Sequence, residues 1–285
     1  MRRASRSRIG RGIGLLSGIG LSLAAGAGVH ARFRAPYQPR LECISVAVPP
    51  GHESLAGLRI AFVTDTHFGP SMSLDDIRNA MSLTASCRPD LILFGGDYIS
   101  ESPRYCEAAA VPLGELASAA PHRGVAVLGN HDIAMDADRM TRALQDVGIP
   151  VLRNQSVCVE TGRGPLWIAG VDESMLGHPN LEQTFRPIPP DAAIVTLWHE
   201  PDYAQESARR GAFAQLSGHS HGGQIKLPFL GTPGTPAGGK RYVEGLCLVD
   251  GMPVYTSRGV GVYRPPIRVN CPPEVTLVTL IAPRR

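Results

Sequence analysis

The stretch Leu58-Arg59-Ile60-Ala61-Phe62-Val63-Thr64-Asp65-Thr66-His67 joins a short apolar run to a polar motif. An apolar run of this length is typical of a strand that is buried on both faces. Four further apolar runs along the chain end in the same way. Their polar motifs are Gly96-Asp97, Gly129-Asn130-His131-Asp132, Trp198-His199-Glu200-Pro201 and Gly218-His219-Ser220-His221. The sequence therefore predicts five strand ends that carry polar side chains.

The first half of the chain alternates predicted strands with predicted helices. Further strands are expected at 91–94 and 124–128, and helices at 74–87, 103–119 and 135–147, the first of them capped by Ser73. This alternation predicts an α/β fold with a mainly parallel sheet.

The second half is richer in short strands. We expect strands at 151–152, 157–160, 166–171, 192–198 and 213–217, a helix at 201–210, and antiparallel hairpin strands at 243–249, 253–257 and 275–281. The dipeptide Asp250-Gly251 predicts the turn between the first two hairpin strands. The Gly-, Pro- and Thr-rich stretch 231–239 predicts a loop. Together the two halves predict two packed sheets with helices outside.

The polar motifs can converge because the carboxyl ends of parallel strands share one edge of a sheet. They offer three aspartates, an asparagine and five histidines. This set can hold two divalent metal ions and leave one histidine free, and mixed nitrogen and oxygen ligands suit Mn, Fe or Zn better than Ca. Taken singly, Asp65 or Asp97 could instead be a helix cap, and His219 and His221 could be two surface histidines.

Two metal ions with a free histidine suit the hydrolysis of a phosphoester. Cations about 3.5–4 Å apart can share a hydroxide and lower its pKa for in-line attack on phosphorus. His131 could then protonate the leaving oxygen, and Asp132 could orient a histidine of the site.

The ordered motifs, from Leu58 to the C-terminus, resemble the calcineurin-like metallophosphoesterases. Within that family the chain resembles the bacterial membrane-associated or exported branch, which shares an N-terminal leader, the run 57–60 before Asp65 and His67, and the run 218–224 followed by Pro228. The resemblance implies a four-layer αββα sandwich of two mixed sheets flanked by helices. This agrees with the pattern of predicted strands.

The resemblance also implies a role for each motif residue. Asp97 matches the bridging carboxylate between two metal ions, and His131 matches the catalytic histidine that is not a ligand. The other metal ligands are Asp65, His67 and His221 for one ion, and Asn130, His199 and His219 for the other.

The branch implies a phosphodiesterase or pyrophosphatase that uses metal-activated hydroxide on a lipid-linked or nucleotide-diphospho-lipid substrate, such as UDP-2,3-diacylglucosamine. The soluble enzyme known for that reaction has arginine where His131 stands, so cell-wall and lipid phosphodiesters stay open. The alternatives are a phosphomonoesterase or protein phosphatase on the same site, and a non-catalytic metal-binding scaffold. The complete ligand set argues against the scaffold.

The charge of the chain is concentrated at its N-terminus. Residues 1–31 contain five arginines and no acidic residue, and without them the chain has 23 basic and 25 acidic side chains. With this balance, the chain after residue 31 lacks the excess of positive charge that is typical of proteins that bind a nucleic acid polymer. With 43% hydrophobic and 19% charged residues, the composition is that of a globular protein.

The arginines precede an apolar stretch at 13–29, which as a helix would cover about 25 Å of a ~30 Å bilayer core. An export signal is therefore favoured over an uncleaved membrane anchor, and in both cases the catalytic domain would face the periplasm or the outside. We divide the chain into this leader at 1–31, a lead-in segment at 32–57 and a metallophosphoesterase domain at 58–285. Six cysteines without a C-x-x-C spacing predict mainly free thiols, with at most one disulfide.

Overall fold

The computed structural model describes residues 26–283, which form two β-sheets packed face to face. The strands of the first sheet are β1 (Arg40–Ala47), β2 (Arg59–Val63), β3 (Leu91–Phe94), β4 (Gly124–Ala126) and β11 (Glu274–Ile281). Their order is β1-β11-β2-β3-β4. Strands β2, β3 and β4 are mutually parallel, whereas β11 is antiparallel to β2 and parallel to β1. The sheet is therefore mixed.

The second sheet has six strands and is also mixed. They are β5 (Gln155–Glu160), β6 (Pro165–Gly170), β7 (Ile194–Leu197), β8 (Ala214–Ser217), β9 (Gly245–Val249) and β10 (Met252–Thr256), in the order β5-β6-β7-β8-β10-β9. The four central strands are parallel, and the edge strands β5 and β9 are antiparallel to their neighbours. The predicted turn at Asp250-Gly251 joins β9 to β10, and both residues have a positive φ.

Helices cover the outer face of each sheet. The α-helices are α1 (Leu74–Ser86), α2 (Cys106–Ala119), α3 (Asn130–Asp146), α4 (Leu181–Phe185) and α5 (Ala204–Arg209). Short 3-10 helices span Ala35–Tyr37, Glu53–Leu55, Pro103–Tyr105, Pro201–Tyr203 and His221–Gly223. Side chains of α1, α2 and α3 pack on the first sheet, and those of α4 and α5 pack on the second. The predicted four-layer αββα sandwich is confirmed.

Strand β3 shows why its sequence is apolar without interruption. Successive side chains of a strand point to opposite faces. Leu91 and Leu93 enter the core between the two sheets, while Ile92 and Phe94 enter the core under the helices. All four side chains are fully buried. A strand between two apolar layers therefore needs an apolar residue at every position.

The prediction that the strand at 275–281 belongs to the hairpin region is wrong. Strand β11 instead lies in the first sheet, between β1 and β2. Val275 faces the helices, and Val278 and Leu280 face the second sheet. The strand is thus buried on both faces, and its two neighbours come from the other end of the chain. The hydrophobic periodicity of the sequence indicates that this strand is buried, but it does not identify the neighbouring strands.

Helix α3 begins at Asn130, five residues before its predicted start. The N-cap is Gly129, whose backbone N–H donates to the side chain of Asp132. We placed the start after the polar motif because the apolar periodicity begins there. The helix is kinked at Asp136, which has a non-helical φ of −174°. Helix α4 was not predicted, and residues 151–152 form a single bridge to Ala126 rather than a strand.

The predicted leader at 1–31 lies almost wholly outside the described residues. Residues 26–33 are helical, and β1 lies within the predicted lead-in segment, where it forms an edge of the first sheet. Across residues 26–283 we find no helix that is both long and apolar enough to cross a membrane. All six cysteines fall within the described residues, and each of them is a free thiol.

We expect Leu93→Ala to lower the free energy of unfolding by about 2–5 kcal/mol, because it leaves a cavity between the two sheets. Leu248→Ala is the matched control, since Leu248 is 70% exposed on β9. Urea unfolding of both variants measures the difference. Equal effects would contradict the assignment of Leu93 to the central core.

Candidate metal centre

The five polar motifs meet at one edge of the sandwich. They follow β2, β3 and β4 in the first sheet and β7 and β8 in the second. Three groups of side chains have possible ligand atoms within 4.8 Å of one another: Asp65, His67 and His221; His67, Asp97 and His131; and Asp97, His199 and His219. Asn130 belongs with the third group because its Oδ1 lies 2.9 Å from Nδ1 of His219. The structure thus brings together all eight residues that the sequence singled out.

The first group is built from two histidines and a carboxylate. Nε2 of His67 and Nε2 of His221 are 2.9 Å apart, and Nε2 of His221 lies 3.4 Å from Oδ1 of Asp65. Nε2 of His67 lies 4.0 Å from the same carboxylate oxygen. Three electron-rich atoms therefore face one point, which is the arrangement that a cation stabilises.

Asp97 faces histidines of both the first group and the third. Its Oδ2 lies 3.6 Å from Nε2 of His67 and 3.3 Å from Nε2 of His199. Its other oxygen, Oδ1, accepts a hydrogen bond of 2.8 Å from the backbone N–H of His131. One carboxylate oxygen is thus held by the backbone, and the other lies between the two histidines.

The tautomer of His199 is fixed by its hydrogen bonding. Nδ1 lies 2.7 Å from the carbonyl oxygen of Gly95 and must donate to it, because a carbonyl only accepts. In the neutral ring the lone pair is then on Nε2, which faces Asp97. This Nε2 is buried, and no hydrogen-bond partner satisfies it among the described residues. A buried polar atom without a partner fits a site that takes a metal ion.

The same argument applies to His219 with its nitrogens exchanged. Nε2 lies 2.7 Å from the carbonyl oxygen of Ala237 and donates to it. Nδ1 therefore carries the lone pair in the neutral ring, and it lies 2.9 Å from Oδ1 of Asn130. Two acceptor atoms at this distance repel each other unless a cation or a proton lies between them. The donor set of the third group thus also fits a metal ion.

Burial keeps several of these histidines neutral. It lowers the pKa of His67 to about 3 and the pKa of His219 to about 4. It also lowers the pKa of His221 well below its ordinary value. Neutral imidazole is the form that binds metals, so these rings are ready to act as ligands at neutral pH.

The carboxylates respond to the same environment in different ways. Burial raises the pKa of Asp65 to about 7, and a nearby cation would oppose this shift by favouring the carboxylate. Burial would also raise the pKa of Asp97, but the charge of His199 holds it well below its ordinary value. Burial would lower the pKa of His199, but the charge of Asp97 raises this pKa well above its ordinary value. A proton on His199 therefore competes with a metal ion for the same place.

The backbone of the site is strained. Five of the predicted ligands have a left-handed backbone: Asp65 (φ 55°), His67 (φ 47°), Asp97 (φ 56°), His219 (φ 69°) and His221 (φ 53°). Residues other than glycine in this region cost about 1–3 kcal/mol each and persist only where the surrounding structure holds them. Such strain is concentrated at functional sites, which agrees with the role predicted for these residues.

The prediction that Asp132 orients a histidine is wrong. Its carboxylate instead accepts hydrogen bonds from the backbone N–H groups of Asp97 (2.7 Å), Tyr98 (2.9 Å) and Gly129 (3.0 Å). Asp132 thus holds the loop that carries Asp97. Burial and then the charge of Asp97 raise the pKa of Asp132 to about 7. The adjacency of Asp132 to His131 in sequence gave no indication of this contact.

Three residues of the site were not predicted. The hydroxyl of Ser100 lies 2.8 Å from Nδ1 of His67, and its position three residues after Asp97 is a signal that sequence reasoning could have used. The ring of Tyr263 lies 5.0 Å from that of His131. Arg268 is fully buried and donates to backbone carbonyls of the loop behind Asp65 and His221. Tyr263 and Arg268 lie outside the polar motifs, so no local pattern marks them.

The first and third groups open into a cavity of about 540 Å³. Its walls include Asp97, Asn130, His131, His219, His221, Gln224 and Tyr263, and the segment 234–236 of the predicted loop. His131 and Tyr263 are both partly exposed to this space. A ligand in the cavity would therefore contact the ring of His131 and the metal-ligand atoms together.

Residues 58–223 match the family described as calcineurin-like phosphoesterase. The match begins at the strand before Asp65 and ends just after His221, so it contains all five motifs. The chain belongs to the calcineurin-like phosphoesterase family. It is a metallophosphoesterase, that is, a metal-dependent phosphoester hydrolase.

Two bacterial proteins illustrate how closely this metallophosphoesterase resembles its relatives. The metallophosphoesterase YkuE of Bacillus subtilis is 33% identical over 98% of this chain and 99% of its own. The phosphodiesterase YaeI of Escherichia coli is 33% identical over 80% of this chain and 84% of its own. Among solved structures, a dimetal phosphatase from Danio rerio aligns with a TM-score of 0.46 and 12% identity, over 74% of this chain and 90% of that chain.

We expect Gly129→Ala to empty the metal centre of this metallophosphoesterase. A Cβ at this position would lie 2.2 Å from Oδ1 of Asp97 and 2.6 Å from its backbone nitrogen, so the carboxylate must move. Elemental analysis after dialysis measures the loss. Gly234→Ala is the control, because its Cβ would meet nothing within 4 Å. Equal metal contents in the two variants would show that the position of Asp97 does not control binding.

Proposed function

We propose that the chain is a binuclear phosphodiesterase in which Asp97 bridges two divalent metal ions. One observation carries the proposal. Oδ2 of Asp97 lies between Nε2 of His67 and Nε2 of His199, at 3.6 and 3.3 Å, and those two histidines belong to different ligand groups. A carboxylate shared by two groups is the geometry that a two-metal site requires.

The remaining ligands follow from which atoms face each other. We assign Asp65, His67 and His221 to the first ion, and Asn130, His199 and His219 to the second. Bound cations in this place would supply positive charge that lowers the pKa of water and stabilises charge on phosphoryl oxygens. The hydrogen bonds from His199 to Gly95 and from His219 to Ala237 would orient both rings toward the second ion.

His131 is assigned the proton transfer. Its backbone N–H is fixed on Asp97, while its ring lies at the cavity wall between the rings of His67 and Tyr263. From there the imidazole can donate a proton to the leaving oxygen of a bound phosphoester. A ring nitrogen of His131 also lies within 4.8 Å of His67 and Asp97, so metal analysis must separate a catalytic role from a ligand role.

A phosphodiester is the substrate class that the relatives favour. YaeI, which is named a phosphodiesterase, shares 33% identity over 80% of this chain. We further propose a lipid-linked or nucleotide-diphospho-lipid phosphodiester, hydrolysed by an exported or membrane-anchored enzyme on the outer side of the membrane. The five arginines and the apolar stretch at 13–29 support that placement.

Turnover of bis(p-nitrophenyl) phosphate and p-nitrophenyl phosphate by the manganese-loaded protein tests the reaction class. We expect the diester to be hydrolysed with the higher kcat/KM. A higher value for the monoester would favour a phosphomonoesterase, and no turnover of either by fully metallated protein would favour a binding scaffold. Parallel assays with lipid-linked and water-soluble diesters then test the lipid preference.

The residue roles are tested by Asp97→Ala and His131→Ala. Asp97→Ala should lose bound metal, because the shared ligand is removed. His131→Ala should retain two ions per chain yet lose about 10²–10⁴ in kcat, the usual contribution of a general acid. His178→Ala is the control, since His178 is an exposed histidine outside the site. Full metal content in Asp97→Ala would contradict the assignment of Asp97 as the bridging ligand. Loss of metal in His131→Ala would show that His131 is itself a metal ligand.

A further inference from the structure

The segment Leu227-Pro228-Phe229-Leu230, the apolar tip, projects from the surface. The side chain of Phe229 is fully exposed, and that of Leu230 is 80% exposed. Backbone hydrogen bonds of 2.9 and 3.0 Å between Leu227 and Gly231 close the turn. Phe229 has a left-handed backbone with φ 65°, which bulky residues rarely adopt. The side chains of Phe229 and Leu230 therefore contribute almost no buried apolar surface to the folded chain.

The apolar tip continues one wall of the catalytic cavity. Gln224 lines the cavity, and its side-chain amide accepts from the backbone N–H of Tyr263 (2.7 Å) and donates to the carbonyl of Tyr263 (3.0 Å). Two residues later the N–H of Lys226 donates to the carbonyl of Val269 (2.9 Å). The turn begins directly after this contact. Residues 223–224 before the tip and 234–236 after it both line the cavity, so the tip is a projection of the cavity wall.

The N-terminal segment reaches the same side of the molecule. The backbone N–H of Arg268 donates to the carbonyl of Ala31, which lies in the helical stretch 26–33. In that stretch the side chains of Val29 and Phe33 are 58% and 62% exposed. The sequence before it holds the apolar stretch 13–29 and five arginines. Segment 263–270 is thus flanked by the helical stretch and by residues 224–226, which lead to the apolar tip.

The segments that frame this side carry positive charge only. Residues 26–41, 225–243 and 259–273 contain eight lysines and arginines and no acidic residue, whereas the rest of the chain from residue 42 onward has 15 basic and 25 acidic residues. Arg34, Lys240 and Arg241 are exposed, Arg268 is buried, and Lys226 and Arg264 pair with Glu244 and Glu101. The positive charge left on these segments is therefore that of exposed side chains such as Arg34, Lys240 and Arg241. Apolar side chains together with exposed cations are the combination that binds anionic lipid bilayers.

We propose that the apolar tip inserts into the interface of an anionic lipid bilayer and holds the cavity entrance against the membrane. Basic side chains of the neighbouring segments face the lipid headgroups. A lipid phosphodiester could then reach the metal centre without leaving the membrane surface. That consequence rests on the proposed function, whereas the docking itself does not.

Phe229→Trp in the full chain tests the proposal through the depth of the new indole. The variant is mixed with vesicles of phosphatidylglycerol and phosphatidylethanolamine, with or without brominated acyl chains, and wild-type fluorescence from Trp167 and Trp198 is subtracted. We expect brominated lipid to quench the added tryptophan. Leu248→Trp is the matched control, because Leu248 is 70% exposed on the edge strand β9, and its indole should stay unquenched.

Three results would overturn the docking. They are an unquenched tryptophan at 229 in protein that floats with the vesicles, equal quenching at 229 and 248, and a protein that does not float at all. A fourth contradicting result would come from light scattering. If the wild type is a dimer and the double variant Phe229→Ser, Leu230→Ser is a monomer, the tip binds a second copy of the chain instead of a bilayer.

The same double variant separates docking from catalysis. It should lower vesicle partitioning about tenfold or more, since it removes the two exposed apolar side chains. Leu248→Ser should leave partitioning unchanged, and equal losses in both variants would overturn the proposal. Turnover of the water-soluble aryl diester should match wild type in the double variant. Quenching at 229 in a protein that hydrolyses no diester would support the docking while removing the proposed function.

Discussion

The apolar layer between the two sheets is the constraint on which the rest of the structure depends. Leu93 in the first sheet and Ile168 and Leu216 in the second are buried in this layer, and every strand that enters it must be apolar on that face. Packing the sheets face to face also brings the carboxyl ends of β2, β3 and β4 close to those of β7 and β8. Loops that follow these strands therefore meet across the gap between the sheets, and neither sheet could form the metal centre alone.

Bringing several carboxylates and histidines to one buried point is unfavourable without a cation. The structure holds them there by fixing the backbone around each side chain rather than by pairing the side chains. Asp132 shows how this is done: its carboxylate accepts hydrogen bonds from the backbone N–H groups of Asp97, Tyr98 and Gly129 and so sets the place of Asp97. Arg268 does the same for the loop behind Asp65 and His221 through carbonyl groups. These buried side chains hold the strained backbone of the ligands in place, and a bound metal ion would add attraction between the donor atoms.

Three segments near the cavity share an absence of acidic residues, and one of them carries the apolar tip. Acidic residues are absent from the three segments 26–41, 225–243 and 259–273, and the apolar tip carries the two most exposed large apolar side chains of the described residues, Phe229 and Leu230. Exposed apolar residues next to a catalytic cavity leave free energy of burial that a bilayer can supply. A phosphodiester presented by a lipid is the substrate that the proposed reaction and the proposed membrane docking would have in common.

The sequence by itself determined the α/β layering, most strand and helix positions and the eight motif residues, because each depends on local periodicity or on residues next to a strand end. It also allowed the family to be inferred from the order of the motifs. Only the tertiary structure decided that β11 crosses to the first sheet, that Asp132 supports the Asp97 loop, and that Tyr263 and Arg268 belong to the site. These features depend on contacts between segments far apart in the chain. A local pattern records how a residue is buried, but the identity of its neighbours is fixed only when the two sheets pack.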